Sequence, residues 1–307
     1  SSRSGQRLRR SVAVRDGGRW RDLGTRLVAE GHALWLPAHV ESHFNRRYAA
    51  LAQRARLRGL RLYDPDGCGA GPSPGAQLRL WVNWDADSAD GRNLDDEWVR
   101  IKNEDLARPV SVGRWVVRDS DLRQLRLPRR ATIAPGGVIT VRVGPGRDTR
   151  TEFHWGLRAP AFENVERGLR MGDGAYLFDP RGNLRASMIY PCTVGCADPL
   201  RGRVTVSAQP AASPETLSVR NVGDGVVDLH GYVLRSFPRS YHFPAGTLIA
   251  PGDALRLVVG GSPAGNQPLR KHWPVKGPIL KNKGAAVRLE TYARTVIDCF
   301  SWGRGRC

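Results

Sequence analysis

Along residues 98–103 the apolar side chains Trp98, Val99 and Ile101 interleave with Arg100 and Lys102, and along 217–221 Leu217 and Val219 alternate with Ser218 and Arg220. Apolar residues two apart mark a strand with one buried face. Short runs of similar character follow at 110–117, 138–143 and 175–178, and again at 226–234, 254–259 and 286–290. Turn signals separate them: Ala134-Pro135-Gly136-Gly137, Ala250-Pro251-Gly252-Asp253 and Pro180-Arg181-Gly182-Asn183. Proline at the second turn position presets φ and the next glycine supplies a positive φ, the chemistry of a type II turn. Many short strands without a long helix predict a β-sandwich or barrel.

The pattern occurs twice. One offset carries Glu97 onto Glu215, Asn103 onto Asn221 and Gly113 onto Gly231; after a two-residue shortening Pro135 falls on Pro251 and Gly144 on Gly260. Downstream, Trp155 and Asn164 meet Trp273 and Asn282, so the repeated unit is a whole module.

The front of the chain reads differently. Arg10 to Arg15 alternates into Asp16-Gly17-Gly18, a hairpin turn signal, and then Arg19-Trp20. Asp22 suits the cap of a helix whose apolar face is Leu23, Leu27, Val28 and Leu34. Phe44, Tyr48, Leu51 and Ala55 mark a second helix at steps of four, three and four.

The order Glu-x-hydrophobic-x-hydrophobic-x-Asn (Glu97 to Asn103, Glu215 to Asn221), a strand at Gly113 or Gly231, Ile-Ala-Pro-Gly before the next strand, then Leu280 to Gly284 as Leu-x-Asn-x-Gly and a final hairpin, resembles the lamin-tail domain. The resemblance spans residues ~80–190 and ~203–303, with Phe162-Glu163-Asn164 standing in the first copy for Leu-x-Asn. It implies an immunoglobulin-like β-sandwich and, in bacterial members, an accessory module attached to secreted nucleases and other surface proteins. The expected architecture is mainly β: a hairpin-plus-two-helix segment at 1–70, a first sandwich at 76–196 and a second at 203–307. Asn103 and Asn221 are expected to bond turn backbone. Gly113 and Gly231 are expected where a side chain does not fit or φ is unusual.

Residues ~5–69 resemble the C-terminal end of the thermonuclease (staphylococcal-nuclease-like) family, through Gly5-Gln6-Arg7-Leu8, Asp16-Gly17, Leu27-Val28-Ala29-Glu30-Gly31-His32-Ala33 and an Ala/Arg-rich helix ending near Arg56 to Leu62. That family's metal carboxylates and second phosphate-clamping arginine belong to strands preceding this segment. Its Gly-Arg arginine slot holds Gln6 here, with Arg7 one residue late. The expectation is therefore no catalysis by this polypeptide. The alternative is a metal-dependent phosphodiester hydrolase whose catalytic strands lie upstream.

Length suits two domains and a smaller piece. The sequence begins at Ser1 without a signal sequence, as a processed chain or a fragment does, and no stretch reaches the ~18 apolar residues of a membrane span. The net charge is +19, with arginine supplying 43 of 48 basic residues, a bias that a GC-rich genome produces unaided. Its distribution is more telling. Residues 1–75 carry 14 basic and 6 acidic residues, 76–200 carry 19 and 17, and 201–307 carry 15 and 6. The excess at the ends fits either a polyanionic partner or solvated surface charge. Four of the five lysines fall in one stretch, Arg270, Lys271, His272, Trp273, Lys276, Lys281 and Lys283, which codon bias does not explain. Two readings stay open for it: phosphate binding with a base stacked on Trp273, or a core tryptophan with a solubilising lysine rim. Arg7, Arg9 and Arg10 are the corresponding candidates at the front.

Asp85, Asp87 and Asp90, with Asn93, Asp95 and Asp96, offer hard oxygen ligands in a loop, and calcium is weighed there against an acidic solvated loop. His39 and His43 stand four apart with Glu41 between them, which is not the His-Glu-x-x-His order and reads as surface histidines at a helix start. Gly144-Pro145-Gly146 lacks a following Gly-Lys-Ser/Thr and reads as a turn. Cys68, Cys192, Cys196, Cys299 and Cys307 sit near module edges, and disulfides in an extracellular or cell-surface setting fit better than zinc. Cys299 with Cys307, and Cys68 with Cys192 or Cys196, are the expected pairings, the odd thiol being free or paired outside the chain. The reading as a whole is a non-catalytic accessory array of a secreted nuclease-like protein, contacting nucleic acid or another polyanion through its basic ends.

Overall fold

A computed structural model describes residues 3–4, 7–8, 12–37, 42–67, 69, 71–85, 90–165, 172–191, 197–244, 246–292 and 294–307. Two compact units result, residues 1–84 with 97–196, and residues 85–96 with 197–307. The fold is mainly β, two immunoglobulin-like sandwiches and a small helical segment.

The first unit opens with β1 (Arg3–Ser4), β2 (Arg7–Leu8), β3 (Ala13–Asp16), β4 (Arg19–Asp22), α1 (Leu23–Ala29) and α2 (Ser42–Leu57). Gly17 and Gly18 both take positive φ, which a two-residue hairpin between β3 and β4 requires. Asp22 caps α1 as expected, accepting from the Gly24 N–H at 3.1 Å. The helix stops before Leu34: Gly31 has φ +75°, and a Cβ there would lie 2.3 Å from the Leu60 carbonyl oxygen.

The first sandwich is built from β5 (Leu78–Asn83), β6 (Trp98–Asn103), β7 (Val110–Ser111), β8 (Val116–Arg118), β9 (Gln124–Arg126), β10 (Thr132–Ile133), β11 (Val138–Arg142), β12 (Glu152–His154), β13 (Gly174–Phe178) and β14 (Leu184–Ile189). The second uses β15 (Val204–Gln209), β16 (Thr216–Asn221), β17 (Val227–Asp228), β18 (Tyr232–Ser236), β19 (Arg239–His242), β20 (Leu248–Ile249), β21 (Ala254–Val259), β22 (Arg270–Trp273), β23 (Gly284–Thr291) and β24 (Val296–Gly303). One sheet of the first runs β12-β11-β6-β5 and the other β14-β13-β8-β9; the second repeats this order as β22-β21-β16-β15 and β24-β23-β18-β19. Even the parallel pair recurs, β11 with β12 and β21 with β22.

The repeated residues make the same bonds in both copies. Glu97 accepts the backbone N–H groups of Ala161 and Phe162, and Glu215 those of Ile279 and Leu280. At the far end of the same strand, the Asn103 amide donates to the Arg108 and Ala134 carbonyls at 2.7 and 3.2 Å, and that of Asn221 to Gly225 and Ile249 at 2.8 and 2.9 Å. The Ala-Pro-Gly turns close as type II chemistry demands, with Gly136 and Gly252 at φ +63° and +80°. The stretches 110–117 and 226–234, each expected as one strand, are interrupted. Gly113 passes so close to Arg129 that a Cβ would sit 2.2 Å from its carbonyl oxygen, and Gly231 takes φ +85°. The two equivalent glycines of the repeat thus answer different needs.

Residues 1–70, expected as a piece of their own, share a core with the first sandwich. Val28, Tyr48, Ala52, Ala55 and Tyr63 pack with Tyr176, Leu184 and Ile189. Between helix and sheet the chain is pinned rather than loose: buried Arg185 lies 3.2 Å from Asp66 and donates to the Ser73 carbonyl at 2.8 Å, and the Asn183 amide reaches Gly69 at 3.1 Å. Sequence periodicity finds these helices but cannot say what their apolar faces meet.

Cys299 and Cys307 form a disulfide, holding the end of the chain against β24. Cys68, Cys192 and Cys196 lie outside the described residues. Cross-linking so short a loop contributes about 2–3 kcal/mol through the unfolded state. Cys307→Ser should therefore lower the denaturant midpoint of the second sandwich, and reduction of the parent should reproduce the shift, both read by near-ultraviolet circular dichroism.

Asp173 is buried at the start of β13, accepting N–H groups of Ser120 and Gly174 beside a second buried carboxyl, Asp119, which pairs with Arg123 at 3.0 Å. Burial pushes the Asp173 carboxyl up to about 7 from 3.8. The folded state then holds a proton that the unfolded state releases, so stability is greatest below the unfolded value and declines as pH rises towards 7. Asp173→Asn should flatten this slope between about pH 4 and 7 in urea titrations, whereas an unchanged slope would assign it elsewhere.

Candidate polyanion-binding surface

The predicted cationic stretch begins on β22, the edge strand of a four-stranded sheet in the second sandwich. Register along the parallel pair sets Arg256 beside Arg270, Leu257 beside Lys271, Val258 beside His272 and Val259 beside Trp273. Trp273 points inward. It is 3% exposed, with its ring centroid 5.8 Å from that of Tyr241. Its counterpart Trp155 packs edge-on against Phe162. The stacking reading of Trp273 is thereby overturned, because its side chain is buried in the core that the repeat builds. Lys271 occupies the position of buried Phe153 and is half-buried. Lys276, Lys281 and Lys283 are exposed on the connection from β22 to β23, whose backbone Glu215 fixes at Ile279 and Leu280, while the Trp302 indole donates to the Lys281 carbonyl at 2.9 Å.

The outer face of the same sheet supplies what periodicity alone did not single out. Leu217, Val219, Leu255 and Leu257 fill the inner face, so the alternate positions Ser218, Arg220, Ala254 and Arg256 face outward. Ser207, Ser218, Arg256 and Arg270 align across all four strands, with Arg220 paired to Ala254 on the next outward row. Strands stand about 4.8 Å apart. Arg220, Arg256 and Arg270 are exposed, and the four strands contain no carboxylate. Among the described residues none of these arginines, nor Lys271, Lys276, Lys281 or Lys283, forms an ion pair. Like charges placed side by side on a sheet repel, and among the described residues no carboxylate pairs with them.

The first sandwich resolves the same face differently. Arg142 pairs with Glu152 at 2.8 Å, Lys102 and Arg79 share Glu104 at 3.0 and 2.9 Å, and the Arg100 guanidinium lies 4.1 Å over the Trp98 ring. In the second copy Arg270 stands in place of Glu152, Arg256 in place of Thr140 and Val222 in place of Glu104. Part of the charge difference between the two copies thus comes from particular residues at equivalent positions, buried Thr140 and half-buried Glu152 in the first sheet and exposed Arg256 and Arg270 in the second.

The free edge of β22 is occupied by its own loop. Gln267 and Arg270 exchange backbone hydrogen bonds at 2.7 and 3.2 Å, and the His272 N–H donates to the Asn266 side chain at 2.7 Å. Side chains, not an open strand edge, are what this surface offers.

The remaining candidates belong to other segments of the chain. Arg7 is in β2, where its backbone pairs with Ser4, and Arg9, Arg10 and Gln6 are outside the described residues. Of the calcium candidates, Asp85 is half-buried, Asp87 lies outside the described residues and Asp90 begins a 3-10 turn. Nearby Asp96 is buried and engaged by Asn93 and His230. Among the described residues no group of three His, Cys, Asp or Glu side chains is placed to hold a metal ion. His39 lies outside the described residues and His43 falls in the first turn of α2. No helix is long and apolar enough to cross a membrane.

The fold defines a class, the immunoglobulin-like β-sandwich module. Residues 82–191 match the lamin tail domain family model, which covers the first sandwich from within β5 to the end of β14. No curated protein matches the chain.

Because Trp273 is a core residue, Trp273→Ala should cost the second sandwich about 3–5 kcal/mol. Lys281→Ala with Lys283→Ala should leave its stability within about 0.5 kcal/mol. Equilibrium unfolding in guanidinium chloride compares the two.

Proposed function

We propose that this chain is an accessory binding array that holds the phosphate backbone of nucleic acid without reading its sequence. The observation that carries the reading is the unpaired arginine row of the second sandwich, set against a first copy in which the equivalent face is neutralised from within. Guanidinium groups match phosphate oxygens with two parallel donors. The spread of Arg220, Arg256 and Arg270 suits successive charges of a linear polymer rather than one enclosed phosphate. With Trp273 buried, no aromatic platform is available at that residue for bases, which favours contacts to the backbone alone. The lysines of the β22–β23 connection extend the positive rim.

The second sandwich is, in this reading, a second lamin tail domain, supported by the shared strand order and by Glu215 and Asn221 repeating the bonds of Glu97 and Asn103. The front hairpin and helices follow the order of a thermonuclease C-terminal end, which fits an array that accompanies a nuclease. The Cys299–Cys307 disulfide suits an oxidising, extracellular setting.

Binding of a 30-base-pair mixed-sequence duplex, followed by fluorescence anisotropy across a salt series, tests this. The parent should bind with a steep inverse dependence on salt, and Arg220→Gln/Arg256→Gln/Arg270→Gln should reduce the log–log slope by about 3, at about 0.9 per phosphate contact. An unchanged slope in that variant removes the sheet from the interface. Preference for polyglutamate over DNA would replace the ligand, and cleavage of the duplex in calcium would replace the accessory role by hydrolysis.

A further inference from the structure

We infer that α2 and the turn that follows it form a second, separate nucleic-acid contact, in which Arg47 and Arg54 of the helix and Arg58 of the turn grip the phosphate backbone of a duplex. The inference shares only its ligand class with the function proposed above, since its residues belong to the other compact unit.

At 100° per residue Arg47 and Arg54 lie about 20° apart on α2, and the Arg58 N–H, in the turn beyond the helix, donates to the Arg54 carbonyl at 3.2 Å, which carries the chain on over the same side. Asn45, Tyr48, Ala52 and Ala55 are buried on a side of the helix centred about 120° away. That side is firmly seated: the Trp35 indole donates to the Asn45 side chain at 2.7 Å, and the Gln53 amide donates to the Ile189 carbonyl at 3.1 Å. Rotation of the helix to bury its arginines is therefore blocked. Arg47, Arg54 and Arg58 are exposed, as is Arg46 on the neighbouring flank.

The helix sequence, SHFNRRYAALAQRARL, contains no acidic residue. A solvated helix ordinarily interleaves both signs at three- and four-residue spacing, and Arg54 with Arg58 is a like-charge pair at a spacing where opposite charges would stabilise. Among the described residues none of the three arginines has an ion-pair partner. From Arg47 to Arg58 the stripe runs about 16 Å at 1.5 Å per residue, long enough to follow several phosphates. It carries no exposed aromatic ring between its cations, so unstacked bases gain nothing from it, and a regular duplex backbone is the partner that fits.

The test uses the full chain with Arg47→Gln/Arg54→Gln/Arg58→Gln, glutamine being a comparable helix former, and with the corresponding triple lysine variant. The probes are a mixed-sequence 30-base-pair duplex, its single strand and polyglutamate, each titrated from 50 to 200 mM salt. Removal of three backbone contacts should shrink the loss of duplex affinity over that range about 40-fold, and the lysine variant should restore it. Parent-like salt dependence in the glutamine variant, with unchanged helical circular dichroism, overturns the inference, as does tighter parent binding to the single strand or to polyglutamate. If the sheet variant loses binding while the α2 variant does not, this inference alone fails. If only the α2 variant loses binding, the sheet proposal fails and this one stands.

Discussion

A single strand in each sandwich ties the structure together at both ends. In β6 and β16 a glutamate at the start receives the backbone N–H groups of the connection that crosses between sheets, and an asparagine at the finish satisfies two carbonyls and one N–H of the turns there. Each of these groups would be costly to bury unpaired. The crossing connection cannot be shifted without stranding a carboxylate, nor the turns without stranding an amide. Placement of the aromatic core, and of the edge strand that ends at Trp273 or just before Trp155, follows from that double anchorage.

Since the anchors act through the interior and the strand ends, the outward rows of the sheet are free to differ. They do. The first copy keeps Glu104 and Glu152 beside its cations, whereas the second carries Arg220, Arg256 and Arg270 with no acidic strand residue. A sheet face is well suited to such divergence, because exchanging an exposed side chain alters the surface potential without touching the core. The basic excess at the front has a different carrier, an α-helix with one side seated on the first sandwich and arginines on another.

Much of this was legible in the residues themselves. The spacing of Glu97, Asn103 and the Ala-Pro-Gly turns is local, and local chemistry repeats in local sequence. Asp16-Gly17-Gly18-Arg19 and the Asp22 cap were readable for the same reason. Long-range partners were not. Nothing in residues 42–57 announces that Tyr48 and Ala52 meet Tyr176 and Leu184, or that buried Arg185 would pin the segment from Asp66 to Ser73. The lysine cluster drew attention by composition, yet the unpaired row beside it includes Arg220 and Arg256, which look ordinary in an arginine-rich chain until strand register aligns Arg256 with Arg270.

The two cationic surfaces differ in a way that matters for binding. One is a pleated face with its edge closed by the Gln267–Arg270 bridge, the other a convex helical stripe. Trp273, the aromatic side chain of the cationic stretch, is committed to its core. Binding by exposed guanidinium groups alone is dominated by release of counterions, so it is sensitive to salt and indifferent to base order. Such contacts are individually weak, and combining them on one polymer raises affinity only to the extent that the chain allows both to engage at once. For the binding proposed here, selectivity would reside in the shape and charge density of the polymer rather than in any single recognised chemical group.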